Sequence, residues 1–358
     1  MDLYEYSGNM HNHTPYSDGV LYHDNLAKAA LRAGLDFLIV TDHNVWVHGP
    51  DGYYTDDTGR HLLLLSGEEI HDTALKPEGN HLLVFGTHSE LAAKASDPQR
   101  LIDSVSAAGG LSFLAHPFER AAPILEDAIY SWRNWQVSGY TGIEIWNYMS
   151  EFKSLVTSRP MALFYAYNPE VGMRGPFPET MRKWDTLLAA GNRLVAIGNA
   201  DAHGTTYSMG PLSRCIFPYE FLYRAVNTHV LCNQKFRGDA ATDQEIVYSA
   251  LREGHCFVGY DQPHPTRGFR FSGNNGAKIV IMGAEISLNC SVKLKAKAPR
   301  QCHLRLIRHG ETVARAKNST ELKHTVTRAG AYGIEATTRF RGQQCGWIFS
   351  NPIYVRPD

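Results

Sequence analysis

Through residue 200, short apolar runs alternate with helix-like stretches, and that rhythm leaves few folds open. Strand candidates cover residues 4–10, 37–41, 62–69, 81–86, 111–115, 142–146 and 193–200. Between them lie amphipathic segments such as residues 97–108 and 22–33, the latter setting Leu26, Ala29, Ala30 and Ala33 on one helical face. Strand alternating with helix argues for an α/β chain of parallel units rather than an all-β or all-α fold. About seven such units fit a barrel better than an open sheet.

From about residue 261 the texture changes. Period-2 strands are expected at residues 278–282, 291–297, 303–308, 311–316, 322–327, 332–337 and 348–355, with turn sequences at 297–301 and 308–310. Short alternating strands with no helix between them predict a C-terminal all-β sandwich (Ig-like) domain. The Pro- and Gly-containing stretch 259–268 marks the boundary, giving a barrel over residues 1–260 and a sandwich over 265–358.

A chain of 358 residues has room for one large and one small unit. Its net charge of −1 gives no electrostatic reason to expect nucleic acid or an anionic membrane as partner. No apolar run approaches the roughly 18 residues of a membrane span. The opening MDLYEYSGNMHNH lacks the basic start and apolar core of a secretion signal, so a cytoplasmic location is expected. The 6 cysteines, all beyond residue 214, form no CxxC pair and read as ordinary buried thiols; a Cys290–Cys302 bridge would require export.

Histidine is the informative count, with 17 in all and 10 in the first 116 residues. Neutral imidazole is the commonest metal ligand, so the positions matter. His11-Asn12-His13 follows the first strand candidate and leads into TPYSDG. In a strand, residues i and i+2 point the same way, so both imidazoles project to one side. Asp18 then falls in a loop over the barrel mouth, where a hard oxygen ligand is useful. His43, in Thr41-Asp42-His43-Asn44, stands at the end of another apolar run and reads equally as a ligand or as a cap on the next helix. Gly67-Glu68-Glu69-Ile70-His71 offers a carboxylate able to bridge two metals. His81 starts a strand, His116 lies in Leu114-Ala115-His116-Pro117, and Asp201 and His203 repeat the i, i+2 spacing in NADAHG. One strand-end histidine is usually structural. A whole series of strand ends carrying His, Asp or Glu is hard to explain as core packing.

Taken together, HNHTPYSDG, TDHN, GEEI, NHLLVFG, AHP and NADAHG resemble the PHP (polymerase and histidinol phosphatase) superfamily over residues 9–204. The resemblance implies a distorted (β/α)7 barrel of PHP type holding two or three divalent metal ions, Zn, Mn or Fe. It implies that His11, His13, Glu69 and Asp201 hold one metal, and that Glu69, His81 and His116 hold a second with Glu69 bridging. Asp18, His43 and His203 are implied for a third. The family pattern Gly-x-Glu selects Glu69 over Glu68, and Asp18 stands where several relatives carry His. The tail SNPIYV and the HNHTPYSDG opening also resemble the carbaryl-hydrolase-type (CehA/McbA-like) branch, which is functionally mixed.

A metal centre of this kind implies hydrolysis, by a hydroxide shared between two metals attacking phosphorus or a carbonyl carbon. The leading expectation is a phosphoesterase acting on a small phosphorylated molecule, with Glu69, Asp201, His203 and Arg174 in catalysis. Arg174, in GMRGP before the helix candidate 179–190, is the candidate for the phosphoryl oxygens because its fork suits them. His71, Asn44 and Asn147 are further candidates for lining the pocket, and Trp46, Tyr53, Tyr54, Trp132 and Trp135 for an aromatic wall. Carbamate, ester or amide hydrolysis and a non-catalytic metal-binding role are the alternatives. Residue types alone leave the substrate, the metal and the oligomeric state open.

Overall fold

The computed structural model describes residues 3–122, 129–209 and 212–357. Its N-terminal part holds β1 (Tyr4–Asn9), β2 (Phe37–Val40), β3 (Gly52–Thr55), β4 (His61–Asp72), β5 (Gly79–Phe85), β6 (Leu111–Leu114), β7 (Gly142–Asn147) and β8 (Val195–Asn199). Among the described residues α-helices lie between them: α1 (His23–Ala33), α2 (Pro98–Ala107), α3 (Tyr148–Leu155), α4 (Arg159–Tyr167) and α5 (Pro178–Ala189). α1 buries Leu26, Ala29 and Ala30 as its spacing predicts, and Gly34 ends it at φ +88°, a left-handed position that suits glycine. Asp97 caps α2 by accepting the Arg100 N–H at 3.1 Å.

β3 is a hairpin partner laid on β4. The other seven strands pair in the order β1-β2-β4-β5-β6-β7-β8. All the pairings are parallel except those of β5, which runs antiparallel to both neighbours. The departure from uniformly parallel β/α units has a simple cause. Only residues 73–78 join β4 to β5, too few for a crossover helix, so the chain must turn back.

No ladder joins β8 to β1 among the described residues; their extensions meet in one bridge, Asn12 with Ala202. Side chains satisfy the exposed edge of β8 instead. Thr228 Oγ1 accepts the Gly198 N–H at 3.0 Å and donates to the Gly198 carbonyl at 2.9 Å. Asn351 Oδ1 accepts the Ala196 N–H at 2.7 Å while its amide donates to the Ala196 carbonyl at 2.9 Å. A buried sheet edge needs such partners because an unpaired backbone group away from water is costly.

The chain then forms a hairpin of β9 (Thr206–Met209) and β10 (Leu212–Cys215), the short helix α6 (Tyr219–Tyr223), β11 (Val226–Cys232), α7 (Ala240–Arg252) and β12 (Cys256–Tyr260). β11 pairs antiparallel with β1, and β12 with β11. One face of these strands builds a buried cluster of Phe37, Ile39, Leu63, Leu65, Leu83, Phe85, Phe113 and Ile197, joined by Val247 and Leu251 of α7. The opposite faces, including Leu38, Leu62, Leu64 and Ile143, pack with the helices. Strands buried on both faces explain why the apolar runs are continuous rather than alternating.

The C-terminal part comprises β13 (Arg270–Asn274), β14 (Ile279–Ile281), β15 (Glu285–Ser287), β16 (Val292–Arg308), β17 (Glu311–Val326), β18 (Gly330–Phe340), β19 (Gln343–Ser350) and β20 (Ile353–Arg356). The turn expected at residues 297–301 is not a reversal. It lies inside β16, where the register with β17 shifts between Lys297 and Cys302. Pro299 cannot donate to a ladder, and a bulge is where a strand tolerates it. Two pairs of expected strands thus merge into one long hairpin. β19 pairs with β12, and the C-terminal core takes in Leu231 and Phe257, so strands from either side of residues 260–265 share one sheet. All six cysteines are free thiols, Cys290 exposed and Cys302 buried. Among the described residues no helix is long and apolar enough to cross a membrane.

Candidate metal centre

The parallel strands deliver their chemistry at one end. His11 and His13 follow β1, His43 follows β2, His116 follows β6, and Asp201 and His203 follow β8. Glu69 lies in the part of β4 that extends past β2 and is bridged to His43. His81 lies at the start of its strand rather than the end. The reversal of β5 carries that start to the same mouth, so the one antiparallel strand supplies a ligand from its opposite terminus.

The side chains converge into overlapping sets of donor atoms. His11 Nε2 and His13 Nε2 stand 3.0 and 3.2 Å from Glu69 Oε2, and each stands 3.3 Å from Asp201 Oδ1. On the other oxygen, Glu69 Oε1 faces His81 Nδ1 at 2.8 Å and His116 Nε2 at 3.0 Å. Asp18 Oδ2 faces His203 Nε2 at 3.3 Å and His43 Nε2 at 3.7 Å, and Asp18 Oδ1 lies 3.5 Å from His13 Nδ1. Within each set the donor atoms lie within 4.8 Å of one another. The structure therefore brings together all nine residues expected from the sequence. His71 joins His43 and His81 in a further set that was expected only as pocket lining.

The donor chemistry fits divalent cations. His11, His13 and Glu69 are fully buried, and their donor atoms crowd with that of Asp201 within 4.8 Å of one another. Burying so many polar and charged groups together is costly unless something binds them. The electrostatics agree. Burial would lower the His11 pKa, but Asp201, Glu69 and Glu144 outweigh it and raise the group well above the ordinary imidazole value. Burial is likewise overcome at His13 by Asp201 and Glu69, and at His116 by Glu119 and Glu69; both are pushed up to about 9. The negative field that holds protons on these rings is the field that would draw a metal ion.

Residues not expected as ligands, among them Asn147, which was expected as pocket lining, hold the ligands in place. Glu144, buried on β7, lies with Oε1 3.1 Å from His11 Nδ1, which turns Nε2 toward the carboxylates. Glu144 also accepts the His116 N–H at 3.0 Å and the amides of Asn147 and Asn199 at 3.1 and 2.9 Å. Asn147 donates a second bond to Asp201 Oδ2 at 3.2 Å, leaving Oδ1 for the histidines. Asp42 accepts from the Thr14 N–H, the Thr14 hydroxyl and Ser17, fixing the loop that carries Asp18. The Tyr219 hydroxyl stands 2.8 Å from the His13 carbonyl and 2.6 Å from that of His203. Such carboxylate and amide partners orient a metal's histidines. Asp201 and His116 have positive φ, +58° and +24°, which is uncommon outside glycine and gathers at functional sites.

Adjacent glutamates on β4 diverge. Glu69 points into the cluster of histidines, and though burial opposes it, His11, His43 and His81 hold its carboxyl well below the usual range. Glu68 is buried away from the metal sets, accepts the Leu91 N–H at 3.2 Å, and is pushed up to about 7 by burial.

A cleft of about 280 Å³ opens over the cluster. Arg174 does not line it. Its loop is drawn onto Glu151, which accepts the Arg174 N–H, and onto Gly346, which donates to the Arg174 carbonyl, and the side chain is exposed. The one Lys or Arg among the described lining residues is Lys153 on α3, its Nζ 3.8 Å from Glu119 Oε1 and 5.5 Å from the Tyr130 ring centre. The expected aromatic wall is also displaced. Trp46, Tyr53, Tyr54, Trp132 and Trp135 lie elsewhere, and Tyr130 and Phe217 line the cleft with Met149 and Leu222.

No protein-family model and no curated protein matches the chain. Among the solved structures of similar fold are two described as holding a predicted metal-dependent phosphoesterase, one of them PHP-like, and an amidohydrolase. A two-domain protein of Bacteroides vulgatus ATCC 8482, containing a predicted PHP-like metal-dependent phosphoesterase, covers 98% of this chain and 96% of its own at 14% identity, with a TM-score of 0.44. A proposed metal-dependent phosphoesterase of Bifidobacterium adolescentis ATCC 15703 is 18% identical over 57% of this chain and 90% of its own, with a TM-score of 0.33. An amidohydrolase of Chromobacterium violaceum, with bound sulfate and no metal, is 13% identical over 57% of this chain and 92% of its own, with a TM-score of 0.29.

Proposed function

We propose that this chain is a metal-dependent hydrolase of the PHP type, a phosphoesterase holding two or three divalent cations and acting on a small phosphorylated substrate. The observation that carries this reading is the division of Glu69. Its Oε2 faces His11 and His13 while its Oε1 faces His81 and His116, the arrangement a carboxylate needs to serve two metals at once. His11, His13, Glu69 and Asp201 would hold one cation, Glu69, His81 and His116 a second, and Asp18, His43 and His203 a third. Bound there, divalent cations supply an activated water near neutral pH and polarise the bond to be cut.

The chain's own residues supply positioning. Glu144 and Asn147 keep His11 and Asp201 aimed inward. Lys153, rather than Arg174, offers a positive charge to an anionic substrate, held over the cleft by Glu119 and the Tyr130 face. With a volume of about 280 Å³, the cleft suits a small substrate. The apolar side formed by Tyr130, Met149, Phe217 and Leu222 favours a second reading, ester, carbamate or amide hydrolysis of the carbaryl-hydrolase type.

The test is hydrolysis of p-nitrophenyl phosphate, bis-p-nitrophenyl phosphate and p-nitrophenyl acetate by metal-reconstituted protein, alongside His11→Ala and Lys153→Met. Phosphate-ester turnover lost in His11→Ala is expected, with KM raised about tenfold in Lys153→Met through loss of a charged contact. Acetate turnover alone, indifferent to Lys153, moves the assignment to the second reading. Silence on all three with metal bound refutes the phosphoesterase assignment.

A further inference from the structure

His71 is not needed by the three donor sets above, yet it is built like a ligand. It follows Glu69 by two residues on β4 and is almost wholly buried. Its backbone N–H donates to Asn44 Oδ1 at 2.9 Å, which fixes the chain at that point. Glu78 Oε2 lies 3.3 Å from its Nε2. A carboxylate at Nε2 draws the ring proton there and leaves Nδ1 as the lone pair, the logic by which second partners set the tautomer of metal-binding histidines. That Nδ1 is buried and has no hydrogen-bond partner.

Two neighbours repeat the pattern. His81 Nε2 is also buried without a partner, and His43 Nδ1, equally buried, stands 3.2 Å from Glu69 Oε2 without forming a hydrogen bond to it. The ring centres of His71 and His81 are 4.4 Å apart, and that of His43 is 4.9 Å from the first and 5.7 Å from the second. One donor atom from each ring lies within 4.8 Å of the others.

We propose that His43, His71 and His81 form a further position for a divalent cation, with Glu78 holding His71 in the tautomer that offers Nδ1 to it. The inference rests on the metal-centre reading above. The position shares His81 with the Glu69–His116 set and His43 with the Asp18–His203 set. A cation there competes with full occupancy of both, which makes it a loading position rather than a permanent one. Glu78 is partly open and lines the cleft, giving an approach from solvent. Three neutral nitrogens and no carboxylate favour borderline cations such as zinc, cobalt or copper over magnesium or manganese.

The test uses the full chain carrying Glu69→Gln and Asp201→Asn, stripped with a chelator and titrated with cobalt, read by visible absorption and metal content. One retained cobalt per chain is expected, lost on adding His71→Asn and kept on adding His203→Asn. The reverse pattern assigns the retained ion to the Asp18 set and overturns the proposal, as does no retained ion. Where that background does not fold, His71→Asn alone is read by zinc uptake from a chelator into the metal-free chain. Uptake about tenfold slower is expected, by analogy with lost metal partners, and an unchanged rate overturns the proposal. An unaltered chain that binds no cobalt or zinc refutes the metal-centre reading itself, a separate outcome.

Discussion

Replacing Glu144 with Gln asks whether the candidate centre is held by its outer partners. The change preserves shape and removes one charge. Glu144 Oε1 faces His11 Nδ1 and the Asn199 amide, and Oε2 faces the His116 N–H and the Asn147 amide. A glutamine must turn its NH2 toward one of those donor pairs. Against Oε1's partners it meets His11 Nδ1, which can accept only by moving the ring proton to Nε2 and so withdrawing the lone pair from the cluster. Against the others it abuts a backbone N–H that cannot adapt. Two buried donors left unsatisfied cost about 1–3 kcal/mol each before relaxation. Losing a carboxylate behind a metal-binding histidine lowers metal affinity about 10–100-fold, or about 1.4–2.7 kcal/mol. The assay is competitive zinc titration against a chromophoric chelator, with thermal unfolding of the metal-free protein beside it. A folded Gln variant that binds zinc within about twofold of the parent refutes this reasoning, since affinity losses at such partners are far larger.

Two further outcomes follow from groups remote from the cleft. His229, buried between Glu5 and Asp261 at 2.9 and 3.2 Å, is pushed up to about 9, because these carboxylates outweigh the burial that would lower it. A raised folded-state pKa contributes stability that is complete below the unfolded value near 6.5 and is lost as pH rises through about 9. Urea unfolding should therefore show a loss on the order of 3 kcal/mol between pH 6.5 and 9.5, absent in His229→Gln, and equal losses in both proteins would contradict it. Asn351→Ala should cost about 2–4 kcal/mol by taking the side-chain partner from both the Ala196 N–H and the Ala196 carbonyl, and a shift in the urea midpoint checks it.

The N-terminal strands are legible because a segment buried on both faces must be continuously apolar, as Phe37–Val40 is. Strand direction was not legible. Nothing in the composition of residues 81–86 says that β5 runs backwards; the six-residue link before it does, because a parallel return needs a longer crossover. The C-terminal strands were found by their alternation but cut at the wrong places. Pro299 reads as a turn in one dimension, whereas two long paired strands absorb it as a bulge. Residues 205–260 gave no strand signal that the eye separates from loop, yet β11 and β12 complete the sheet beside β1.

The ligand types were legible for a different reason. A metal needs several donors at one point, and parallel strands end on one side of the sheet, so His11, His13, His43, His116, Asp201 and His203 each follow an apolar run that the sequence shows. Their supports carry no such mark. Glu144 sits inside GIEIWN, where one carboxylate among apolar residues looks like an exposed edge position until the fold turns it inward. Lys153 is one lysine in an ordinary amphipathic helix. Glu68 and Glu69 make the limit concrete. On a strand with one wet face, alternation would have told them apart, because one face would be polar. β4 is apolar on both faces, with Leu63 and Leu65 inward and Leu62 and Leu64 outward. Parity is therefore silent, and only the converging histidines show that Glu69 shares the inward face. Such a pair should separate experimentally as it does in space: in metal-content measurements Glu69→Gln loses the ions of the two sets that Glu69 joins, while Glu68→Gln, replacing a carboxyl already pushed up to about 7, keeps them.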